Sequence, residues 1–336
     1  MKRTQGPILC FVEMGTSGGI SSSSLEVFTA GKALADQSGN DLAALAMGGD
    51  LTQCAGSLGT YPFQAMYLIQ NRLLSTYHPD YFLSAFLQVH ENIGPSVILM
   101  GHTAFSIDLA PRIALALNTG LIMDCTGCSC ESGEFVFSKP VFSGHVIAAL
   151  KILSRPSIAT IRPKSFNLLP AAERDRAQEV RLDVSLDGVP LQYRVVERCD
   201  NKQEGPGVDD ADVIVAGGRG IGGSEGFASL VRLAETLGAA LGSSRPPVDM
   251  GWVPAYCQVG QTGSIVAPQV YFAIGISGSV QHVAGMAGSR TIIAVNSDAE
   301  ASIFKIADFG VVARYEDVIP AFHRAIEHNR PASGAQ

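Results

Sequence analysis

Short apolar runs alternate with segments of helical spacing along most of the chain, and this alternation constrains the fold more than any other feature of the sequence. Near the start, a strand-like run at Ile8–Val12 precedes a helical pattern at Ser24–Asp36, and a second apolar run follows at Leu42–Met47. Buried strands separated by helices form parallel sheets with both faces covered. The sequence therefore predicts an α/β fold built on parallel sheets.

The next part of the chain predicts one more strand–helix unit and then a change of texture. Ser96–Met100 predicts a buried strand, and the helix after it is expected to begin with Asp108 as its N-cap and Pro111 in its first turn. Farther on, Val180–Asp187 and Leu191–Glu197 have the alternation of a β-hairpin. These segments predict a small β extension at the end of a first domain.

A polar segment at Asn201–Asp210 combines Gly, Pro and charged residues without apolar periodicity, as linkers do. We therefore expect an N-terminal α/β domain of residues 1–206 and a C-terminal domain of residues 207–330. In the second domain the alternation resumes at Ala211–Ala216 and Ser224–Leu237, and an amphipathic pattern at Tyr315–Glu327 closes it. This order predicts a doubly wound, Rossmann-like domain.

Charge and hydropathy exclude two classes of partner. The formal net charge of −7 argues against a nucleic acid as the main ligand. The apolar runs have the length of strands, far below the roughly 18 residues of a membrane-spanning helix, so no integral membrane segment is expected. The cysteines number 7 and are mostly scattered, which favours a reducing compartment, and we place the protein in the cytoplasm.

Three of the cysteines form a C-x-x-C-x-C cluster at Cys125, Cys128 and Cys130. Such a cluster could hold zinc or an iron–sulfur centre, but a tetrahedral site needs a fourth ligand and no second C-x-x-C is present. Reduced thiols in a loop are the preferred interpretation, and no metal site is expected.

A glycine-rich turn at residues 217–223 contains the pattern G-x-G-x-x-G between a predicted strand and a predicted helix. This position predicts a phosphate-binding turn, in which glycines admit the backbone and the helix begins with its positive end. A nicotinamide site would also require an acid about 20 residues further on to hold a ribose hydroxyl. The sequence has Ser244-Arg245 there instead, so an anion or an electron-rich ring is the better prediction.

Three further loops are expected at the same carboxyl edge of the second sheet, at residues 258–263, 275–282 and 296–298. They offer amide, hydroxyl and imidazole groups, which suit the polar rim of a flavin. No paired carboxylates accompany them, so general acid–base chemistry is poorly supported. The segment 270–286 reads VYFAIGISGSVQHVAGM, is followed by TIIAVN at 291–296, and resembles the α subunit of electron-transfer flavoprotein. The similarity is dense over residues 211–325 and looser in the first domain.

The resemblance implies one FAD in the second domain, a tightly bound β subunit, and transfer of electrons from flavin dehydrogenases to a membrane quinone oxidoreductase. Acyl-CoA dehydrogenases are the typical donors. Three residues are implied to tune the flavin: Arg245 against the isoalloxazine, Thr262 near N5, and His282 at the N1–C2=O end. The implied cofactor-binding residues are Arg219, Gly220, Ser244, Arg245, Val259, Gly260, Gln261, Thr262, Ser277, Gly278, Ser279, Val280, Gln281, His282 and Asn296.

The chain departs from the family pattern after the last predicted strand. The family often has an acid followed by an apolar residue there, at the adenosine end, and this chain has Arg314-Tyr315. Two other functions stay open: a nicotinamide-dependent dehydrogenase and a non-redox adenine-nucleotide module. The absent ribose acid counts against the dehydrogenase, and the pairs Gln261-Thr262 and Gln281-His282 count against a bare nucleotide module.

Overall fold

A computed structural model describes residues 6–15, 19–142, 146–172, 177–197, 207–209 and 211–329, with side chains up to residue 326. The chain divides into two compact units, Met1–Glu197 and Arg198–Gln336. Most of the linker predicted at Asn201–Asp210, together with Cys199, lies outside the described residues. Each unit is built on its own parallel sheet.

Unit 1 contains a seven-stranded parallel sheet and a separate three-stranded antiparallel sheet. Its strands are β1 (Ile8–Val12), β2 (Leu42–Gly48), β3 (Ala65–Gln70), β4 (Val97–Gly101), β5 (Leu121–Cys125), β6 (Gly127–Glu131), β7 (Glu134–Val141), β8 (Val146–Lys151), β9 (Ser157–Ile161) and β10 (Gln178–Arg181). Its helices are α1 (Ser22–Ser38), α2 (Thr52–Leu58), α3 (Pro79–Ile93) and α4 (Ala104–Ala116). The large sheet has the order β10-β3-β2-β1-β4-β9-β5, and β6, β7 and β8 form the small one.

The strands at the centre of the large sheet are apolar throughout because both faces are covered. Every residue of β1, β2, β4 and β9 is buried. One apolar core contains Phe28 and Leu34 of α1, and the other contains Phe86 of α3 and Ile113 of α4. The prediction of a parallel α/β unit is confirmed.

Helix α4 begins earlier than the sequence pattern suggests, so the prediction of Asp108 as its N-cap is wrong. The N-cap is Thr103, whose hydroxyl accepts from the backbone N–H of Ser106, while the Ser106 hydroxyl accepts from the N–H of Thr103. This reciprocal pair satisfies two helix-end donors at once. Asp108 lies inside the helix, where it accepts from Arg112 and from the Tyr77 hydroxyl.

The hairpin predicted from Val180–Asp187 and Leu191–Glu197 is also wrong. Only Gln178–Arg181 forms a strand, and it pairs in parallel with β3 at the edge of the large sheet. Beyond it, Leu186 is buried in the core near α3 and Gln192 donates its N–H to Asp80 on that helix. Leu182, Val184 and Leu186 alternate because they pack against the core that contains α3, whereas residues 191–197 are exposed. The small β extension is the β6–β8 sheet instead.

Unit 2 is a doubly wound domain with a five-stranded parallel sheet. Its strands are β11 (Val213–Gly217), β12 (Ala240–Ser243), β13 (Val270–Ile274), β14 (Thr291–Asn296) and β15 (Phe309–Val312), and its helices are α5 (Ser224–Leu237), α6 (Arg245–Asp249), α7 (Val280–Met286) and α8 (Tyr315–Asn329). The strand order is β12-β11-β13-β14-β15, so the chain passes from β11 to β12 on one side and then crosses to β13 on the other side of β11. This topology confirms the predicted architecture. Across the described part of the chain, no helix is both long and apolar enough to span a bilayer.

Candidate functional site

A cavity of about 460 Å³ opens at the carboxyl edge of the second sheet, around the point where β11 lies between β12 and β13. Ligands of open α/β sheets bind at such a switch point because the loops diverge there. All but two of the predicted cofactor-binding residues line the cavity: Arg219, Gly220, Ser244, Arg245, Val259, Gly260, Gln261, Thr262, Ser277, Ser279, Gln281, His282 and Asn296.

The two predicted residues outside the lining are Gly278 and Val280. Gly278 has φ +85°, and a Cβ there would meet the backbone of Ile303, so this glycine serves close packing. Val280 is the first residue of α7 and is 42% exposed. Lining residues that were not individually predicted are Pro246, Gln258, Gly275, Ile276, Asp298 and Ala301. Four of these residues lie in the loops that were predicted at the carboxyl edge of the sheet, whereas Pro246 and Ala301 lie outside those loops.

The glycines of the 217–223 turn bring two backbone segments together. The N–H of Gly220 donates to the carbonyl of Gly275 at 3.0 Å, and that of Gly218 donates to the Ile274 carbonyl at 2.9 Å. A Cβ on Gly218 would overlap the backbone at Gly275. Ser224, the first residue of α5, lines a different cavity and is not among the residues that line the crevice. The turn shapes the crevice mainly by close packing.

Two arginines give the crevice a positive character. Arg245 follows β12, and its Nε lies 3.2 Å from the Asp249 carboxylate one turn along α6, with the Arg245 side chain 63% exposed. Arg219 follows β11 in a 3₁₀ turn. Among the described residues that line the crevice, Asp298 is the one carboxylate. An anionic ligand is therefore favoured over a cationic one.

The loop between residues 258 and 264 is fixed on two sides. The N–H of Val259 donates to the Ser243 carbonyl at 2.8 Å, at the end of β12. The N–H of Gln261 donates to the Gln281 carbonyl at 2.8 Å on α7. Within the loop, Nε2 of Gln258 donates to Oγ1 of Thr262 at 3.0 Å. Thr262 therefore lines the crevice from a loop that these hydrogen bonds hold in place.

His282 is buried, with an exposed fraction of 4%, and both of its ring nitrogens have partners in the protein. Nδ1 lies 3.0 Å from the carbonyl oxygen of Val259, and Nε2 lies 3.1 Å from the Tyr271 hydroxyl. Burial lowers the pKa of His282 to about 4, although its bond to the Val259 carbonyl acts in the opposite direction. The ring is therefore neutral near pH 7. His282 lines the crevice, and its contact with the N1–C2=O end of the flavin stays a prediction.

The loop after β13 provides backbone donors. Among the described residues, the N–H groups of Ser277, Gly278 and Ser279 have no backbone acceptor, while Asn296 holds the same loop by donating to the Ile276 carbonyl at 2.9 Å. Unpaired N–H groups beside an open cavity suit phosphate oxygens. Asn296 therefore orders this loop rather than presenting a free amide.

In the cysteine cluster of unit 1, the thiols of Cys125 and Cys128 are hard to ionise. Burial raises the pKa of Cys125 and of Cys128 to about 12. The Cys128 thiol donates to the Ala30 carbonyl of α1 at 3.7 Å. Within the described ranges, no group of three or more His, Cys, Asp or Glu residues is placed to hold a metal ion.

The donor set of the crevice fits FAD. The unpaired N–H groups after β13 and the guanidinium group of Arg219 suit a diphosphate, and Arg245, Thr262 and Gln261 can bond to the polar rim of a flavin. At the far end, Arg314 pairs with Glu316 at 2.9 Å beside a small cavity that also involves Asn296.

Comparisons with known proteins agree with this geometry. The family model described as electron transfer flavoprotein domain matches residues 8–186, and the one described as electron transfer flavoprotein FAD-binding domain matches residues 207–287. The chain is 36% identical over 316 residues to the electron transfer flavoprotein subunit alpha of Thermoanaerobacterium thermosaccharolyticum, covering 93% of this chain and 95% of the relative.

Two further relatives show comparable similarity over most of their length. The electron transfer flavoprotein subunit alpha of Bacillus subtilis is 37% identical over 88% of this chain and 90% of its own. Protein FixB of Rhizobium meliloti is 35% identical over 93% and 90% of the two chains. With identity at this level along nearly the whole sequence, the chain belongs to the electron transfer flavoprotein family as an alpha subunit, and its cofactor is FAD.

Proposed function

We propose that this chain holds FAD in the crevice of unit 2 and serves as an electron carrier that has no small-molecule substrate of its own. The observation that carries the proposal is the crevice at the switch point of the second sheet, lined by arginines, amides and unpaired N–H groups. FAD, when bound, supplies the redox chemistry. The lining has one carboxylate, Asp298, and one imidazole whose nitrogens are engaged, which leaves no plausible general base.

The proposed roles of the lining residues follow from their positions. Ser277 and Ser279 would bind the diphosphate through their backbone N–H groups. Arg245 would lie along the isoalloxazine, where a guanidinium favours the added negative charge of the reduced ring. Thr262, oriented by Gln258, would hydrogen-bond near N5.

We further propose a β subunit as the obligate partner, seated on the small antiparallel sheet of unit 1. Large apolar side chains are exposed on the edge strand β8 and in the segments beside it: Phe142 at 79%, Ile147 at 58% and Leu153 at 92%. Monomeric proteins rarely leave such a group open to water, and an unpaired edge strand is a common docking element. Because the chain is an alpha subunit of this family, the protein that we expect on this surface is the β subunit.

The proposed circuit runs from a flavin dehydrogenase, typically an acyl-CoA dehydrogenase, to a quinone oxidoreductase or another acceptor. The cytoplasm is the proposed location, because the described cysteines are all unpaired. The family and the lining of the crevice support electron transfer. The acyl-CoA dehydrogenase is proposed as the donor because the sequence resembles this family.

Co-expression with a β subunit tests the proposal. The purified heterodimer should be yellow, contain one FAD per alpha chain, and be reduced by an acyl-CoA dehydrogenase with its substrate. A colourless product that binds NAD would overturn the proposal. A yellow product that no dehydrogenase reduces would contradict the proposed electron donor but would still support the FAD site.

A further inference from the structure

The segment of residues 182–193, which we call the strap, lies along α3 between β10 and the predicted linker. Apolar side chains of its first half pack in the core that contains α3. Gln88 of α3 donates from Nε2 to the Ser185 carbonyl at 2.8 Å and accepts from the Ser185 N–H at 3.0 Å. At the other end of the strap, the N–H of Gln192 donates to the Asp80 carboxylate at 2.9 Å. The strap is therefore attached to one helix at two points.

His78, the N-cap residue of α3, lies beneath the end of the strap. Its ring stacks on the ring of Tyr193, with centroids 4.6 Å apart and an interplanar angle of 26°. Nε2 of His78 lies 3.0 Å from the carbonyl oxygen of Tyr193. His78 is 6% exposed and Tyr193 is 49% exposed, so the tyrosine covers the imidazole.

Both ring nitrogens of His78 face oxygen acceptors. A carbonyl oxygen can only accept, so Nε2 carries a proton and donates it to Tyr193. Nδ1 is buried without a hydrogen-bond partner among the described residues, and Oδ2 of Asp80 lies 3.8 Å from it. A neutral ring therefore turns a lone pair towards a carboxylate, whereas a protonated ring places a positive charge beside that carboxylate.

We propose that His78, Asp80 and Tyr193 form a pH-sensitive clasp on the strap. Protonation of Nδ1 adds an ion pair with Asp80 to the hydrogen bond and the ring stack, so the clasp tightens as the pH falls and loosens as the pH rises. When the clasp opens, the strap is released from its end back to Leu186, whose side chain is buried in the core. The strap leads to the unit that binds FAD, so the clasp sets how many residues are free between the two units.

Other charged and titratable groups lie around the clasp. On α3, the ring of Tyr81 lies 5.3 Å from that of His78. The positive end of α3 disfavours a charge on His78, and Asp80, in the first turn of that helix, offsets this effect. On α4, Arg112 interacts with Asp80 electrostatically but is paired with Asp108 at 3.0 Å, so Asp80 stays available to the imidazolium.

Amide hydrogen exchange of the purified heterodimer, read by mass spectrometry at pH 5.5 and pH 8, tests the clasp. After correction for the intrinsic pH dependence of exchange, residues 187–193 should be about fivefold better protected at pH 5.5. The buried strand Leu42–Gly48 is the internal reference and should show equal corrected protection. Equal protection of residues 187–193 at the two pH values, or better protection at pH 8, would overturn the proposal.

Two substitutions identify the groups responsible. Asp80→Asn keeps an oxygen acceptor for the Gln192 N–H and removes the charge, and His78→Gln keeps an N–H donor for the Tyr193 carbonyl and cannot be protonated. The pH dependence should vanish in both variants. Val196→Ala, at an 88% exposed position beyond the clasp, is the control and should keep it. A pH dependence that persists in Asp80→Asn and His78→Gln would also overturn the proposal.

Discussion

At the scale of single residues, the glycine-rich turn shows how a ligand-binding pattern can be produced by packing. Gly218, Gly220 and Gly275 place the ends of β11 and β13 in backbone contact, and Gly275 has φ +64°. The sequence identified the turn because its glycines have the spacing of a phosphate-binding fingerprint. Spacing cannot reveal which glycine faces a ligand and which faces another strand, so the packing of Gly218 against Gly275 was not predictable.

Gly218→Ala and Gly223→Ala form a matched pair in this turn. A methyl group on Gly218 would overlap the Gly275 backbone, whereas Gly223 has an open surrounding and an extended φ of 162°. Gly218→Ala should destabilise the protein by about 2 kcal/mol and lower the FAD content. Gly223→Ala should change stability by less than about 0.5 kcal/mol. Thermal unfolding and absorbance measure both effects, and equal melting temperatures would contradict the prediction.

Arg245→Lys tests the cation beside the proposed isoalloxazine. An ammonium cannot spread its charge along the plane of the ring, so the reduction potential of bound FAD should fall by roughly 30 mV, or about 0.7 kcal/mol per electron. Arg232→Lys, on α5 away from the crevice, is the control and should leave the potential unchanged. Redox titration of both heterodimers measures the effect, and an unaltered potential in Arg245→Lys would count against this role.

At the scale of elements, the junction of β1 and α4 in unit 1 contains an acid with an unusual titration. The Thr103 hydroxyl, which caps α4, lies 2.8 Å and 2.7 Å from the two carboxylate oxygens of Glu13, the residue after β1. Burial raises the pKa of Glu13 from 4.5 to about 7, and the bond from Thr103 opposes part of that rise. The folded protein therefore binds the proton more tightly than the unfolded chain does.

This difference gives a pH dependence of known sign. The stabilising contribution of protonated Glu13 is complete below about pH 4.5 and is lost as the pH rises through about 7. Glu13→Gln cannot lose a proton, so its stability relative to the wild type should improve by about 1–2 kcal/mol between pH 5 and pH 8. Urea unfolding at the two pH values measures this. Parallel stability curves for the two proteins would contradict the assigned pKa.

The elements also show where sequence reasoning succeeds and where it stops. Helix α5 has the predicted bounds, since Ser224–Leu237 has apolar residues at helical spacing and ends at Gly238 with φ +63°. The start of α4 was missed because both Thr103 and Asp108 can cap a helix, and only the capping pair with Ser106 distinguishes them. The hairpin failed because an alternating pattern does not specify its partner, and β3 supplied a parallel edge.

At the scale of the whole molecule, the exposed apolar strand β8 should govern assembly. Ile147→Asp places a charge within the proposed contact with the β subunit and should weaken the heterodimer at least about tenfold. Leu115→Asp, at an 83% exposed position of α4, is the matched control and should assemble normally. Gel filtration at decreasing concentration measures dissociation. If Ile147→Asp has native circular dichroism and assembles normally, the β subunit does not bind at β8.

The edge strand β10 has a consequence for synthesis of the chain on the ribosome. Its residues, Gln178–Arg181, cover the outer side of β3, which consists of Ala65–Gln70. A nascent chain that has released β3 but not β10 leaves a row of unpaired backbone groups beside an apolar sheet. More than a hundred further residues must be synthesised before β10 can pair with β3. We expect chaperones to bind the exposed edge during this period.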